Sequence, residues 1–368
     1  MFFRGEGSTD LGVEVDFAGR MIREEPEQVY ASVTAAGGLA TVRGMRAVLV
    51  TSYAEVARLL KDDRLGFEEV EAGRVPPKLR GYVEMRQRLM LFQNAPQHLV
   101  TRAAGMAELR GCPQERLGEI LEKTASEVIA EFSGGNLISK AVQPYVARVI
   151  LRVLGLPEER VGEVVRLANE LADALDPCAL QNSKEEAGER YLEMKKNVSA
   201  LAGGPANLET LVMLVAAGLQ TTGHSLGLAV ARTLEKPGCY DVTREFIEEC
   251  YRFDSPAQVT RRVVREEMEV GGKTLRPGMV VWLGLAGANR DLEVFEKADS
   301  FVEKRWPNRH LAFGAGAHRC IGMALAREEL RVFLEKIPEC WVLGEKRAFT
   351  GNLVFRGLRE LEVKVSGN

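Results

Sequence analysis

The segment from His310 to Gly322, H-L-A-F-G-A-G-A-H-R-C-I-G, concentrates the residue types that most often do chemistry. Its glycines, Gly314 and Gly316, let the backbone bend where side chains would clash. The bend places Cys320 just ahead of a predicted helix, whose N-terminal N–H groups and dipole favour a negatively charged sulfur. A thiolate held in this way can be a nucleophile or a metal ligand. A structural turn that contains a buried thiol is the third interpretation that the residues leave open.

A second unusual segment lies inside a long apolar stretch, Leu208 to Leu234, whose composition predicts a buried helix. The middle of this stretch reads A-A-G-L-Q-T-T-G-H-S, from Ala216 to Ser225. Small and hydroxyl residues there lower helix propensity, glycine by about 1 kcal/mol relative to alanine. The pattern predicts either tight helix packing or a flat, bulky group that lies against the helix.

The hydrophobic pattern of the rest of the sequence predicts a mainly α chain with small β-sheets, an α+β fold, around these two segments. Two short strands, L-A-T-V-R-G and R-A-V-L-V-T-S, precede a helix that opens at Ser52, where Glu55 completes a capping box. Further helices are predicted at about 113–132, 138–155, 158–175, 186–201 and 321–335. Strands are predicted at M-E-V-G-G-K-T-L, at M-V-V-W-L-G-L-A and in the tail.

The organisation of the chain predicts one domain, because no repeat, low-complexity tract or linker divides it. This single domain is expected over residues 1–368, with β-rich parts at about 38–52, 256–285 and 340–365 and helical parts at about 95–255 and 320–336.

Composition and charge narrow the class of protein. The chain has 368 residues, with 49 basic and 52 acidic side chains and a formal net charge of −3, which argues against a general nucleic-acid binder. The N-terminus lacks the pattern of a secretion signal, and no apolar run approaches the ~20 residues of a membrane span, so a soluble cytoplasmic protein is expected. The six cysteines contain no C-x-x-C pair, which argues against a disulfide framework or a structural zinc site.

The cysteine segment contains F-G-x-G-x-H-x-C-x-G, which resembles the haem-binding signature of the cytochrome P450 family at every position. The resemblance implies that Cys320 is the proximal thiolate ligand of haem iron, in haem b. It also implies that His318 meets a haem propionate and that Phe313 packs beside the sulfur. The cofactor-binding residues implied by this signature are Ala312, Phe313, Gly314, His318, Cys320 and Gly322.

Further motifs follow in the family's order, so that the resemblance runs from about residue 26 to residue 365. Glu249-Cys-Tyr-Arg252 resembles the E-x-x-R motif, whose two charged side chains, three residues apart on a helix, can form a bidentate ion pair. Arg305, in F-x-x-x-R, resembles the third member of the family's Glu-Arg-Arg cluster. The residues 289–291, N-R-D, fit the family's pattern between these two motifs.

Three more residues resemble propionate-binding positions of the family. P-Q-H-x-x-x-R places His98 and Arg102 four residues apart, so that both can reach one anionic group from a helix face. Arg262, in T-R-R-V-V, matches the position of a further propionate arginine.

The central apolar helix resembles the family's oxygen-side helix, whose pattern is A-G-x-acid-T. Ala217 and Gly218 would leave room beside the haem, and Thr221 matches the hydroxyl that supports proton delivery. Gln220 departs from the family, because an amide can hydrogen-bond but cannot release and regain a proton near neutral pH. Thr221 and Gln220 are the catalytic residues that the resemblance implies.

The resemblance implies an oxidoreductase, a haem-thiolate monooxygenase that inserts one oxygen atom of O2 into a small, mostly apolar organic substrate. Electrons would come from a separate protein, such as a ferredoxin with its reductase, because the chain has no G-x-G-x-x-G motif with a ribose-binding acid. Arg309, Arg319 and Arg327 are candidates for the docking surface, or form an ordinary solvated face. The chain is expected to be a monomer that binds neither nucleic acid nor a membrane.

Other functions stay open at this stage. Gln220 also suggests a peroxide-using peroxygenase, or a family member that couples or rearranges its substrate. A non-catalytic haem sensor or carrier is a second alternative. A haem-free enzyme, with Cys320 as nucleophile and His310 or His318 as base, is a third.

The substrate pocket is implied only in outline, by the 66–92 loop, the 168–200 helices, residues 214–221 and 256–262, and the tail near Leu353. Its apolar candidates, for which ordinary core packing is the competing interpretation, are Phe67, Phe92, Met213, Val259, Leu353 and Phe355. In the first loop Glu68, Glu69 and Glu71 favour either a basic substrate or a solvated loop.

Overall fold

The structure is a computed structural model that describes residues 13–68, 75–176, 184–189, 191–192 and 208–366. It divides into two compact units. Unit 1 comprises Met1–Glu68, Glu248–Cys320 and Gly351–Arg356, and unit 2 comprises Glu69–Ile247, Ile321–Thr350 and Gly357–Asn368. The single domain expected from the sequence stays a prediction.

Helices form most of the described chain. They are α1 (Arg20–Glu24), α2 (Pro26–Ala35), α3 (Tyr53–Leu59), α4 (Arg80–Arg88), α5 (Gln97–Arg110), α6 (Gln114–Glu131), α7 (Gln143–Val153), α8 (Val161–Leu175), α9 (Leu208–Glu235), α10 (Arg244–Phe253), α11 (Leu285–Ala288) and α12 (Met323–Glu335). The strands are β1 (Glu14–Val15), β2 (Leu39–Val42), β3 (Ala47–Val50), β4 (Leu65–Gly66), β5 (Gly135–Asn136), β6 (Val259–Val264), β7 (Met268–Val270), β8 (Lys273–Leu275), β9 (Val280–Gly284), β10 (Trp341–Phe349) and β11 (Leu358–Val365). This content confirms the predicted α+β class with small sheets.

Unit 1 is built on a six-stranded sheet in the order β1-β2-β3-β9-β6-β4. β3 and β9 pair in parallel, and β9 pairs antiparallel with β6, which sets Arg262 opposite Val281. Val48, Val281 and Leu283 are fully buried in the apolar cluster on this sheet, and Leu311 of the cysteine segment packs into the same cluster. The sheet therefore supports both β6 and the start of the cysteine segment.

The start of α3 corrects one expectation from the sequence. The helix follows Ser52 as predicted, but within the described chain the Ser52 side chain makes no capping hydrogen bond. Instead, the Tyr53 N–H donates to Asp291 Oδ2 at 2.8 Å. A carboxylate from a distant loop thus satisfies a free donor at the helix start, and the capping box is wrong.

Unit 2 is organised around α9, which packs against α5, α7, α8 and α12 and against β10 and β11. Its sheet has the order β10-β11-β5 and is antiparallel throughout. Contrary to the expectation that no apolar run approaches a membrane span, the segment Glu209–Glu235 is long and apolar enough for one. Since 78% of its apolar window is buried inside the protein, it has the surroundings of a core helix.

Candidate active site

The glycine bend ahead of Cys320 is fixed by backbone contacts within unit 1. Gly314 and Gly316 have φ values of 64° and 70°, in the left-handed region that favours glycine. A Cβ added to Gly316 would lie 2.5 Å from the Leu60 carbonyl oxygen. The Cys320 N–H donates to the Phe313 carbonyl at 2.9 Å, and Cys320 itself is exposed. The loop therefore presents the cysteine at the surface of its unit, where a ligand can reach it.

Side chains from α10 and the following loop hold the start of the cysteine segment. His310 Nε2 lies 2.8 Å from Glu248 Oε2, and the Phe313 ring packs on Tyr251 with 4.5 Å between ring centroids. The fully buried Asn289 accepts a hydrogen bond from the Leu311 N–H at 2.6 Å. The N-R-D motif thus contributes an amide that ties the cysteine segment in place.

The E-x-x-R motif forms a buried ionic cluster. Arg252 Nε and Nη2 donate to the two oxygens of Glu249 at 2.7 and 2.8 Å, in a bidentate pair. Arg305 Nε donates to Glu249 Oε2 at 3.0 Å, and Asn308 Nδ2 donates to the same oxygen at 3.1 Å. The Val302 N–H donates to Glu249 Oε1 at 2.8 Å. Sequence reasoning named the three charged residues but missed Asn308 and the Val302 amide.

Two of the predicted propionate residues, Arg262 and His318, meet at Phe67. The Arg262 guanidinium carbon lies 4.5 Å from the Phe67 ring centroid, and the His318 ring meets the same phenyl ring edge-on at 5.0 Å. Phe67 was a candidate for the substrate pocket, so its contact with both side chains adds a role that the sequence did not indicate.

The neighbouring arginines of β6 differ in their partners. Arg261 forms an ion pair with Glu68 at 3.2 Å. Arg262 is buried, and its hydrogen bonds go to Thr260 Oγ1 at 2.9 Å and to the Arg261 carbonyl at 2.8 Å. Within the described parts of the chain no carboxylate forms an ion pair with it. Burial lowers the pKa of Arg262 to about 10. A buried guanidinium without an acid fits the carboxylate of a haem propionate.

In unit 2 the other two propionate candidates lie one turn apart on α5. His98 is buried and Arg102 is partly buried. Each unit thus brings together one predicted pair, and the contacts of all four residues with haem stay predictions.

The middle of α9 holds the two predicted catalytic residues. The Thr221 hydroxyl donates to the Ala217 carbonyl at 2.8 Å, one turn earlier. Gln220 is buried, and its Nε2 donates to Asn169 Oδ1 on α8 at 2.6 Å. The residue that replaces the family's acid is therefore held by a second amide, which sequence reasoning missed because the two residues are 51 positions apart.

Two glycines of α9 bear on whether its small residues serve tight helix packing or leave room for a bulky group. A Cβ on Gly227 would lie 2.7 Å from Ile138, which is tight helix packing. A Cβ on Gly218 would come no closer than 3.9 Å to a described neighbour, the Ile150 side chain. Packing within the protein does not require glycine at position 218, which fits the expectation that a bulky group lies beside this part of the helix.

The pocket candidates have mixed surroundings. Met213, Val259 and Leu353 are buried, and Phe92 packs against the cluster that contains Met213. Glu68 is paired with Arg261. Glu69 and Glu71 lie outside the described residues, as do positions 177–183, 190 and 193–200 of the predicted pocket helices.

Sequence reasoning did not single out one further histidine, His224. His224, on α9, packs so closely on Gly357 that an added Cβ there would lie 2.0 Å from its Nδ1. Burial lowers the pKa of His224 to about 4, so the imidazole is neutral near pH 7.

Comparison with known proteins identifies the family. The family model described as cytochrome P450 matches residues 240–338, which include the E-x-x-R motif and the cysteine signature. Cytochrome P450 119 of Sulfurisphaera tokodaii is 30% identical over 309 residues, 75% of this chain and 81% of the relative. The chain belongs to the cytochrome P450 family. A biotin biosynthesis cytochrome P450 of Bacillus subtilis is 28% identical over 352 residues, 85% of this chain and 89% of that cytochrome P450.

The fold agrees with that of solved cytochrome P450 structures. The crystal structure of P450BioI in complex with a hexadec-9Z-enoic acid ligated acyl carrier protein matches with a TM-score of 0.83 and 25% identity. The match covers 94% of this chain and 100% of that one. As a cytochrome P450, the protein is a haem-binding oxidoreductase of the monooxygenase class that uses O2, a small-molecule substrate and redox partners.

Proposed function

We propose that this cytochrome P450 inserts one oxygen atom of O2 into a small, mostly apolar or amphipathic organic molecule, in the cytoplasm and as a monomer. Electrons come from a separate ferredoxin with its reductase. The observation that carries the proposal is the exposed Cys320 at the end of a fixed glycine bend, in a unit that also holds Arg262, a buried arginine with no acid partner among the described residues.

In this proposal Cys320 ligates the haem iron. In unit 1, Arg262 and His318, which both contact Phe67, would hydrogen-bond a haem propionate. The family resemblance assigns the same role to His98 and Arg102 of unit 2. Ala217 and Gly218 leave space for the ring, and Ala312, Phe313, Gly314 and Gly322 shape the loop around the sulfur. Bound haem supplies the oxygen chemistry, and electron donation by the thiolate favours O–O cleavage.

Thr221 and Gln220 are the residues that we assign to proton delivery, Thr221 through its hydroxyl and Gln220 only by positioning water. The Thr221 hydroxyl donates a hydrogen bond to the Ala217 carbonyl, which leaves the lone pairs of the hydroxyl oxygen to accept a hydrogen bond from water. Gln220, held by Asn169, can orient a water molecule but cannot itself transfer a proton. We infer that water carries the proton past position 220.

The substrate class and the electron donor have separate support. One relative is named for biotin biosynthesis, and the solved P450BioI structure holds an acyl chain on an acyl carrier protein, which favours a substrate with an apolar chain. Arg309 and Arg319 are exposed in unit 1, as a basic docking surface for an acidic ferredoxin requires.

The absorption spectrum tests the proposal. Reduced, carbon-monoxide-treated protein should show the Soret band of a thiolate-ligated haem, and Cys320→Ser should lose it. Cys112→Ser is the matched control, because Cys112 is partly exposed and its Sγ makes a weak contact, at 3.8 Å, with the Pro113 carbonyl oxygen. A Cys320→Ser protein that keeps the band, the haem content and ferredoxin-driven turnover would contradict the assignment. Turnover with peroxide but not with NADPH, ferredoxin and reductase would contradict the monooxygenase cycle.

A further inference from the structure

Arg86, on α4, is a cation whose described surroundings are aromatic. Its guanidinium carbon lies 4.6 Å from the Phe92 ring centroid and 5.9 Å from that of Tyr82. The residue is partly buried, and its Nε is buried with no hydrogen-bond partner. No carboxylate in the described ranges forms an ion pair with it. A guanidinium withdrawn from water in this way lacks the anion that normally compensates it.

The other arginines of α4 show that this arrangement is specific. Arg88, two residues later, forms ion pairs with Glu84 and with the buried Glu209, both at 3.3 Å. Arg80, at the start of the helix, is exposed to solvent. Arg86 alone of these three combines partial burial with aromatic neighbours and no acid within the described structure. Cation–π contact with Phe92 holds the guanidinium in place and leaves its N–H donors available.

The position of Arg86 connects it to the oxygen-side helix. Its neighbours Tyr82 and Phe92 belong to, or pack on, the apolar cluster of unit 2. The same cluster contains Met213 and Ala216 of α9, with Ala217 packed against it. α9 carries Gln220 and Thr221 one turn further on. α4 and α9 therefore contribute to one apolar cluster, with Arg86 at the α4 part and the residues next to Gln220 and Thr221 at the α9 part.

We propose that Arg86 binds the carboxylate of the substrate, and that the substrates are amphipathic carboxylic acids with an apolar chain. The inference deepens the proposed function and rests on it. The planar fork of the guanidinium matches a carboxylate, and the Phe92 and Tyr82 rings beside it hold the guanidinium in a partly buried position. Arg86 is in this role a specificity-determining residue, and oxidation occurs on the apolar part of the substrate.

Binding of dodecanoic acid and of methyl dodecanoate tests the proposal, measured by calorimetry and by the Soret shift of the haem-loaded protein. The two probes share the chain and differ in the charge of the head group. We expect wild-type protein to bind the acid roughly 10-fold more tightly than the ester, and Arg86→Gln to remove that preference by weakening acid binding alone. Arg86→Lys should retain part of the preference, because it keeps the charge and loses the fork.

Arg80→Gln is the matched control, since it makes the same charge change at the exposed start of the same helix. It should leave both affinities unchanged. The proposal is wrong if wild-type protein binds the acid and the ester equally, or if Arg86→Gln weakens both probes to the same extent, as a packing role would. Calorimetry measures acid and ester binding even if the protein shows no thiolate haem band. The carbon-monoxide spectrum reports separately whether the proposed function fails.

Discussion

Replacement of Glu249 by glutamine should strongly destabilise unit 1. Glu249 is fully buried and is the anion of a cluster with Arg252 and Arg305, which are also buried. Glutamine has nearly the same shape, so the substitution leaves the packing and removes the charge. It also turns an N–H donor toward arginine groups that are themselves donors.

The magnitude follows from what the two arginines lose. Neither has a second carboxylate within the described structure, so both become uncompensated buried cations. Removal of one partner from a buried ion pair costs about 3–5 kcal/mol, against a total unfolding free energy of about 5–15 kcal/mol. With an m value of about 3 kcal/mol per M urea, the unfolding midpoint should fall by about 1 to 1.7 M.

Urea unfolding of the haem-loaded protein, followed by far-ultraviolet circular dichroism and by the Soret band, measures this change. Glu245→Gln is the matched control, because Glu245 lies in the first turn of the same helix, α10. It loses only the favourable interaction with the helix dipole, about 0.3–1 kcal/mol. A Glu249→Gln midpoint equal to that of the control would refute the reasoning that the cluster holds this unit together.

Two further predictions concern α9. Because burial holds the pKa of His224 at about 4, below its usual value of about 6.5, the unfolded chain binds a proton that the folded chain rejects between these values. The contribution of a neutral His224 to stability is therefore complete above pH 6.5 and is lost as the pH falls toward 4. His224→Asn should reduce the change in unfolding free energy between these pH values by about 3 kcal/mol, and an unchanged profile would exclude His224 as its source. Gln220→Glu should raise ferredoxin-driven product formation roughly 10-fold, because a carboxylate can exchange a proton and an amide cannot. If the rate does not rise, proton supply at position 220 does not limit it.

Much of the fold could be predicted because its signals are local. The short apolar strands β2 and β3, the amphipathic period of α6 and the Gly271-Gly272 turn between β7 and β8 each depend on neighbouring residues. The cysteine signature is also local, since the glycines that bend the chain lie within six residues of Cys320. The E-x-x-R pair could be anticipated because residues three apart on a helix share a face.

The partners of these residues could not be predicted, because they come from distant parts of the chain. Tyr53 and Asp291 are 238 positions apart, and Glu249 and Asn308 are 59 positions apart. Hydrogen bonds over such separations depend on how the sheet and helices pack, which no local period encodes.

The sequence by itself determined the family motif, the bend before Cys320 and the types of side chain that we propose for haem binding, because these depend on residue chemistry and short spacing. Only the tertiary structure decided that Arg261 forms an ion pair with Glu68 while Arg262 forms none within the described ranges, that Gln220 is held by Asn169, and that Arg86 lies against aromatic rings. Burial and the position of the nearest opposite charge set the energy of a charged group, and both are properties of the packed chain.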